Sequence, residues 1–165
     1  MAEKQDTDAT HILEQEHREV EDLFEKYENA SGKDRKEKIA QKVCRELKIH
    51  ALIEEEIFYP ALRGKIEDDL LDEAYVEHDG AKMLINEIAE GGPDEEFYDA
   101  KVTVLKEQIA HHVKEEEKER DNMFQQARAA DVDLEALGEK MLARRKELEK
   151  QADAEGLPPA EPTTT

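Results

Sequence analysis

At 165 residues the chain has room for one domain and a short appendage. Charged residues make up 41% and hydrophobic ones 38%, with 5% aromatics and no Trp, so one modest core must lie beneath a densely charged surface. A formal net charge of -20 repels phosphate backbones and anionic lipid alike, which sets aside nucleic acid and membrane surfaces as expected partners. Cys44 is the only cysteine and reads as a small core filler, so no intrachain disulfide is expected. "MAEKQDTDAT" has no apolar signal core, and no segment is long enough to span a bilayer. A cytoplasmic protein, monomeric or a weak homodimer, is the expectation.

Glycine and proline are scarce and clustered, which favours long helices. The first helix is predicted from about Asp8 to Asn29, where Leu13, His17, Val20, Phe24 and Tyr27 recur at steps of four and three. Thr7, Asp8 or Thr10 offers its cap. After the turn "ENASGKD", a second helix from about Asp34 to Tyr59 carries Ile39, Val43, Leu47, His50, Glu54 and Ile57 on one stripe. Pro60 and Gly64 read as its stop. A third, about Glu67 to Glu90, aligns Leu71, Ala74, His78, Ala81, Ile85 and Ile88. "EGGPDEE" breaks the chain, and a fourth helix, about Asp94 to Ala130, aligns Val102, Leu105, Ile109, His112 and Glu116.

Four long helices with short loops predict an all-α fold, an antiparallel up-and-down four-helix bundle over 8–130. Beyond "AADVD", the stretch 131–151 holds a shorter amphipathic helix from about Leu134, with Leu137, Met141 and Leu148 on one side. It either packs on the bundle or mediates self-association. The tail 152–165, "ADAEGLPPAEPTTT", lacks apolar residues to bury and is expected to be disordered.

Six polar residues occupy the apolar stripes: His17, His50, Glu54, His78, His112 and Glu116. A lone histidine in such a place is ordinarily a core residue with its hydrogen bonds satisfied, but here the pattern repeats on all four helices. No Lys or Arg shares the stripes, and an unpaired buried carboxylate costs several kcal/mol. Two of them weigh heavily against a total stability of ~5–15 kcal/mol. "HALIEEE" and "HHVKEEE" each set a histidine four residues ahead of a glutamate. In the second, His111 with Glu115 competes with His112 and Glu116, and the stripe through Val102, Leu105 and Ile109 selects His112. Antiparallel packing brings the four histidines to similar heights, at about 1.5 Å of rise per residue. Imidazole and carboxylate without thiolate suit a metal site for Fe or Mn, with Zn a further fit. The His-x-x-x-Glu spacing differs from the Glu-x-x-His pairs of ferritin-like di-iron bundles.

Around these positions, "LEQEHREVEDLF", "IHALIEEEIFYPALR", "VEHDGAK" and "HHVKEEE" resemble the histidine-histidine-glutamate cation-binding family, the hemerythrin-like domains, from about Asp8 to Arg128. The resemblance implies a four-helix bundle with a non-heme di-iron centre. His17 and His50 would serve one iron, His78 and His112 the other, and Glu54 and Glu116 would bridge. It further implies a small diatomic or peroxide ligand, handled in sensing or in oxidative or nitrosative stress defence. A di-iron peroxidase or catalase-like enzyme, an iron-buffering or delivery module, and a partner-regulated scaffold are the alternatives.

The chain departs from oxygen-carrying hemerythrins at the third helix, where Ala74 and Lys82 stand in the positions of a second histidine. One iron would then carry water, or borrow Glu77 or Tyr75. The "EEEKERDNMFQQAR" stretch also lacks the proline often found after the acidic run. Tyr59 is either core or a phenol reaching the metal-bound oxygen. His11 reads as surface, and Glu55, Glu56, Glu115 and Glu117 as a solvated face.

Overall fold

The computed structural model describes residues 6–165. Among them the chain is all-helical, with no strand: α1 (Ala9–Asn29), α2 (Lys33–Ile53), α3 (Tyr59–Leu62), α4 (Asp68–Glu90), α5 (Tyr98–Val113), α6 (Met123–Ala129) and α7 (Leu134–Glu155). Two π-helical turns interrupt the α ladder, one at Glu54–Phe58 between α2 and α3, the other at Lys114–Lys118 after α5. Among the described residues, no helix is long and apolar enough to cross a membrane.

Of the three candidate caps, Asp8 starts α1, its carboxylate accepting from the Thr10 and His11 amides. Pro60 does not stop the second helix. The Tyr59 amide already reaches back five residues to the Glu54 carbonyl, so Pro60 falls in the first turn of α3, where its missing N–H costs little. Gly64, at φ 79°, makes the actual turn. The fourth helix is shorter than its sequence suggests. It begins at Tyr98, and the chain turns extended at Glu119. The run from Glu119 to Asn122 offers no apolar residue to hold a helix on the core, and the Asn122 side chain caps α6 instead.

The end of α1 and the starts of α2 and α5 meet at one end of the bundle, where Tyr27 Oη donates to Asp99 at 2.6 Å and Lys36 reaches the same carboxylate at 3.3 Å. Ile88, near the end of α4, shares their apolar cluster with Phe24, Val43 and Leu105. The opposite cluster joins Leu13 of α1, Ile53 of α2, Leu71 of α4, Tyr59 and Phe124. The core is thus two apolar clusters with a polar layer between them.

The terminal helix spends its apolar face on the bundle. Leu137, Met141 and Leu148 are buried, and α7 lies against α1 and α2 with Arg145 on Glu16 at 3.2 Å and Arg45 on Asp153 at 2.7 Å. α7 runs on to Glu155, four residues into the stretch 152–165 expected to be disordered, and beyond Gly156 (φ 77°) the rest of that stretch lies along α4. Leu157 packs on the core, Ala160 exchanges two hydrogen bonds with Asn86, and the Glu161 carbonyl accepts from Lys82. Composition counts apolar burial, whereas this segment is held mainly by backbone groups paired to α4 side chains.

Candidate metal centre

The polar layer is built by four helices that cannot bury their stripes without burying these groups. His17 comes from α1, His50 from α2, His78 from α4 and His112 from α5; Glu54 and Glu116 come from the two π turns. All six are buried, Glu54 completely. The four Nε2 atoms converge. His17 and His50 stand 3.2 Å apart through Nε2, as do His78 and His112. Glu54 Oε1 lies 2.9 Å from His50 Nε2 and 3.2 Å from His78 Nε2, so this carboxylate spans the two pairs. Glu116 Oε1 spans them from the other side, 3.0 Å from His112 Nε2 and 3.4 Å from His17 Nε2. Two triads that could each hold a cation result: His17 with His50 and Glu116, and Glu54 with His78 and His112, their donor atoms within 4.8 Å of one another.

Outside this layer, each imidazole turns its Nδ1 toward a second carboxylate. His50 Nδ1–H donates to Glu16 at 2.7 Å, His78 Nδ1–H to Glu55 at 2.7 Å, and His112 Nδ1–H to Glu77 at 3.1 Å. His17 Nδ1 faces Glu117 at 3.7 Å. Three of these carboxylates are in turn held by cations: Glu16 by Arg145, Glu55 by Lys82 at 2.8 Å, and Glu117 by Arg18. A carboxylate on one ring nitrogen fixes the ring's orientation and raises the basicity of the other, as is general for metal-bound histidine.

The π turns determine what else points inward. In an α-helix, residues five apart lie about 140° apart around the axis. A turn whose hydrogen bond runs from i to i+5 brings them to one side, and such turns recur at functional sites. Glu54 and Tyr59 are related in this way, and both enter the centre. Tyr59 Oη–H donates to Glu116 Oε2 at 3.0 Å and lies 3.1 Å from His112 Nε2. Phe124 stacks on His17 with planes 6° apart. On the opposite side of the imidazoles is a cavity of about 40 Å³, walled by Val20, Leu47, Ala81, Ile85 and Ile109.

Both oxygens of Glu54 and Oε1 of Glu116 are buried and accept no hydrogen bond of acceptable geometry, despite the close imidazole nitrogens. Acceptors this deeply buried are ordinarily satisfied. In the absence of a cation, charge is balanced by protons. Burial opposes protonation of His50, but the charge of Glu54 and the bond to Glu16 outweigh it and raise its pKa well above the usual range. Burial likewise opposes protonation of His112, and Glu116 outweighs it. For Glu54, burial favours the neutral acid, yet the surrounding imidazoles hold it well below the ordinary carboxylate range. A donor set of imidazoles and orphaned carboxylate oxygens fits divalent cations, which would replace those protons.

All six stripe residues are therefore brought together. His111 is not among them; it is exposed, on Glu115 at 2.8 Å and Glu77 at 3.3 Å. His11 is exposed as expected. Tyr75 stays out of the centre and packs edge-on against Tyr59, ring centroids 5.3 Å apart. Glu77 holds His112 from outside rather than entering the layer. The solvated-face reading holds for Glu56, which is exposed and pairs with Arg144 at 2.8 Å. It fails for Glu55 and Glu117, whose side chains are only 8% and 5% exposed. Glu115 is partly buried beside Glu77, and burial and that neighbour push it up to about 7. Glu16 and Arg145 went unnoticed in the sequence, and the only signal was that Glu16, like Glu55, Glu77 and Glu117, directly adjoins a stripe residue.

An all-helical bundle crossed by a buried histidine-glutamate layer defines a class of cation-binding proteins. The profile of the Hemerythrin HHE cation binding domain matches residues 8–120, and the chain belongs to that family. It is similar to a solved Hemerythrin HHE cation binding domain-containing protein from Mycobacterium kansasii, with TM-score 0.75 and 24% identity over 91% of this chain and 94% of that one, a likeness of fold. It is also 25% identical over 116 residues to a DNA nickase from Nostoc sp. (strain PCC 7120 / SAG 25.82 / UTEX 2576). That match covers 70% of this chain but only 33% of the nickase, so the chain spans about a third of that relative's length.

Proposed function

We propose that the chain is a non-heme di-iron protein that binds or reacts with dioxygen or peroxide, in sensing or in oxidative or nitrosative stress defence. The framework is read as an antiparallel up-and-down four-helix bundle of α1, α2, α4 and α5. The observation that carries the reading is the set of three orphaned oxygens, two on Glu54 and one on Glu116, among four convergent Nε2 atoms, beside an apolar cavity of about 40 Å³. His17 and His50 would hold one iron, His78 and His112 the other, with Glu54 and Glu116 bridging. Mn or Zn fits the same donors less well. An iron pair, when bound, supplies the electrons and the open coordination position that this chemistry needs.

The chain's own residues do the rest. The outer carboxylates orient the imidazoles, and the cavity of about 40 Å³, with Val20, Leu47, Ala81, Ile85 and Ile109 in its wall, limits the ligand to a few atoms. Ala74 and Lys82 leave the third-helix imidazole absent, so a coordination position stays free for the ligand. Tyr59 favours a second reading, a peroxide-degrading enzyme, because its hydroxyl already stands at Glu116 as a hydrogen-bond donor. The nickase likeness is not carried over, since a net charge of -20 opposes DNA.

Anaerobic reduction of the iron-loaded protein, followed by stoichiometric dioxygen or peroxide, tests the reading through the optical spectrum. A new band that saturates near one equivalent supports the binder. Sustained peroxide consumption that falls in Tyr59→Phe selects the enzyme, and an unchanged spectrum with either oxidant contradicts both.

A further inference from the structure

On its α2–α4 side, the cavity beside the imidazoles adjoins a second one. Leu47, Ala51, Lys82 and Ile85 wall the first, and the same four residues wall the second, of about 370 Å³. Residues 157–163 of the tail line the outer side of that second cavity. The route that these two cavities mark between α2 and α4 runs beneath the tail and then past the Lys82 stem.

The tail is fastened at three places along one face of α4. Asn86 Nδ2 donates to the Ala160 carbonyl, and its Oδ1 accepts from the Ala160 amide, each at 2.8 Å. Lys82 Nζ donates to the Glu161 carbonyl at 2.9 Å. The amides of Thr163 and Thr164 donate to the two oxygens of Asp79 at 2.9 and 2.8 Å. Apolar anchoring is slight, since Pro158, Pro159 and Pro162 are exposed and Leu157 is only partly buried. A segment held by a few hydrogen bonds, those at Asp79 exposed and those at Asn86 and Lys82 only partly buried, opens at low free energy without unfolding the bundle. The middle fastening also touches the centre's support, because Lys82 holds Glu55 and Glu55 holds His78 Nδ1.

We propose that residues 157–164 form a strap over the α2–α4 entrance, which controls how fast small anionic or neutral ligands of the azide or peroxide kind reach the buried centre. The proposal rests on the centre being a metal site, as inferred above. Asn86 is the latch, since it faces the strap and touches none of the six central residues.

The test is azide binding to the cobalt(II)-loaded full chain, followed by stopped-flow absorbance, against Asn86→Ala and a chain lacking 157–165. Both variants should bind azide roughly tenfold faster, as expected when two hydrogen bonds that hold a gating segment are lost. Their cobalt content should equal the parent's. Cobalt bound normally with azide rates equal in all three chains overturns the strap and leaves the centre standing. A chain that takes up no cobalt in any form overturns the centre and the strap together.

Discussion

A histidine buried on an apolar stripe needs an answer at both ring nitrogens, and the two answers come from different sources here. In His50, His78 and His112, Nδ1 is answered by an outer carboxylate, whereas the Nε2 atoms face two carboxylates with unfilled acceptors. The inner six were legible because helical periodicity placed them where polar residues do not belong. The outer set was not, because Glu16, Glu55 and Glu117 lie off their own helices' stripes and are buried by a neighbouring element. Removing the charge of an outer carboxylate should therefore weaken metal binding without emptying the site. We expect Glu16→Gln and Glu55→Gln each to lower metal affinity ~10–100-fold in a chelator competition, and an affinity equal to the parent's would contradict the orienting role. The histidine doublet gives a sharper contrast. His112→Ala should lose at least one metal ion and most of the optical band, while His111→Ala, at an exposed position, should keep both ions. The reverse pattern in metal analysis would show that the wrong register had been assigned to α5.

The four long helices were readable because each buries one face, and three-and-four spacing survives burial. The π turns were not, since "EEEIF" and "KEEEK" are indistinguishable from acidic α-helix until the backbone is seen. Their effect is local but decisive, for without the turn at Glu54 the Tyr59 hydroxyl would point away from the layer. The break at Glu119 and the ordered tail escaped for a related reason. Both are settled by side-chain caps and hydrogen bonds to a neighbour, which leave no periodic trace. The seat of α7 shows how tightly an element can be specified by one small residue. Gly138 is buried, and a Cβ there would collide with the Thr7 carbonyl and press on Ile12. Gly138→Ala should destabilise the protein by about 1–3 kcal/mol, the usual range for overpacking, seen as a lower Tm. A Tm equal to or above the parent's would mean that α7 packs loosely enough to shift.

Across the whole molecule, the polar layer divides the core in two, and the bundle must tolerate that division to have a centre at all. Protons can balance the carboxylates, but a cation would engage the orphaned oxygens as well, so metal should be linked to folding. Chelation is expected to lower Tm, and a metal-free chain as stable as the loaded one would tell against a buried site. The acidic surface sets the long-range field, which favours cations over nucleic acid. The most direct measurement is metal content of the chain reconstituted with iron(II) under anaerobic conditions, read together with Mössbauer and electron paramagnetic resonance spectra after oxidation. The account predicts about two irons per chain, as the donor set of two imidazoles and a carboxylate per ion implies, and a coupled, resonance-silent diferric pair. One iron per chain with the signal of an isolated ferric ion would contradict it.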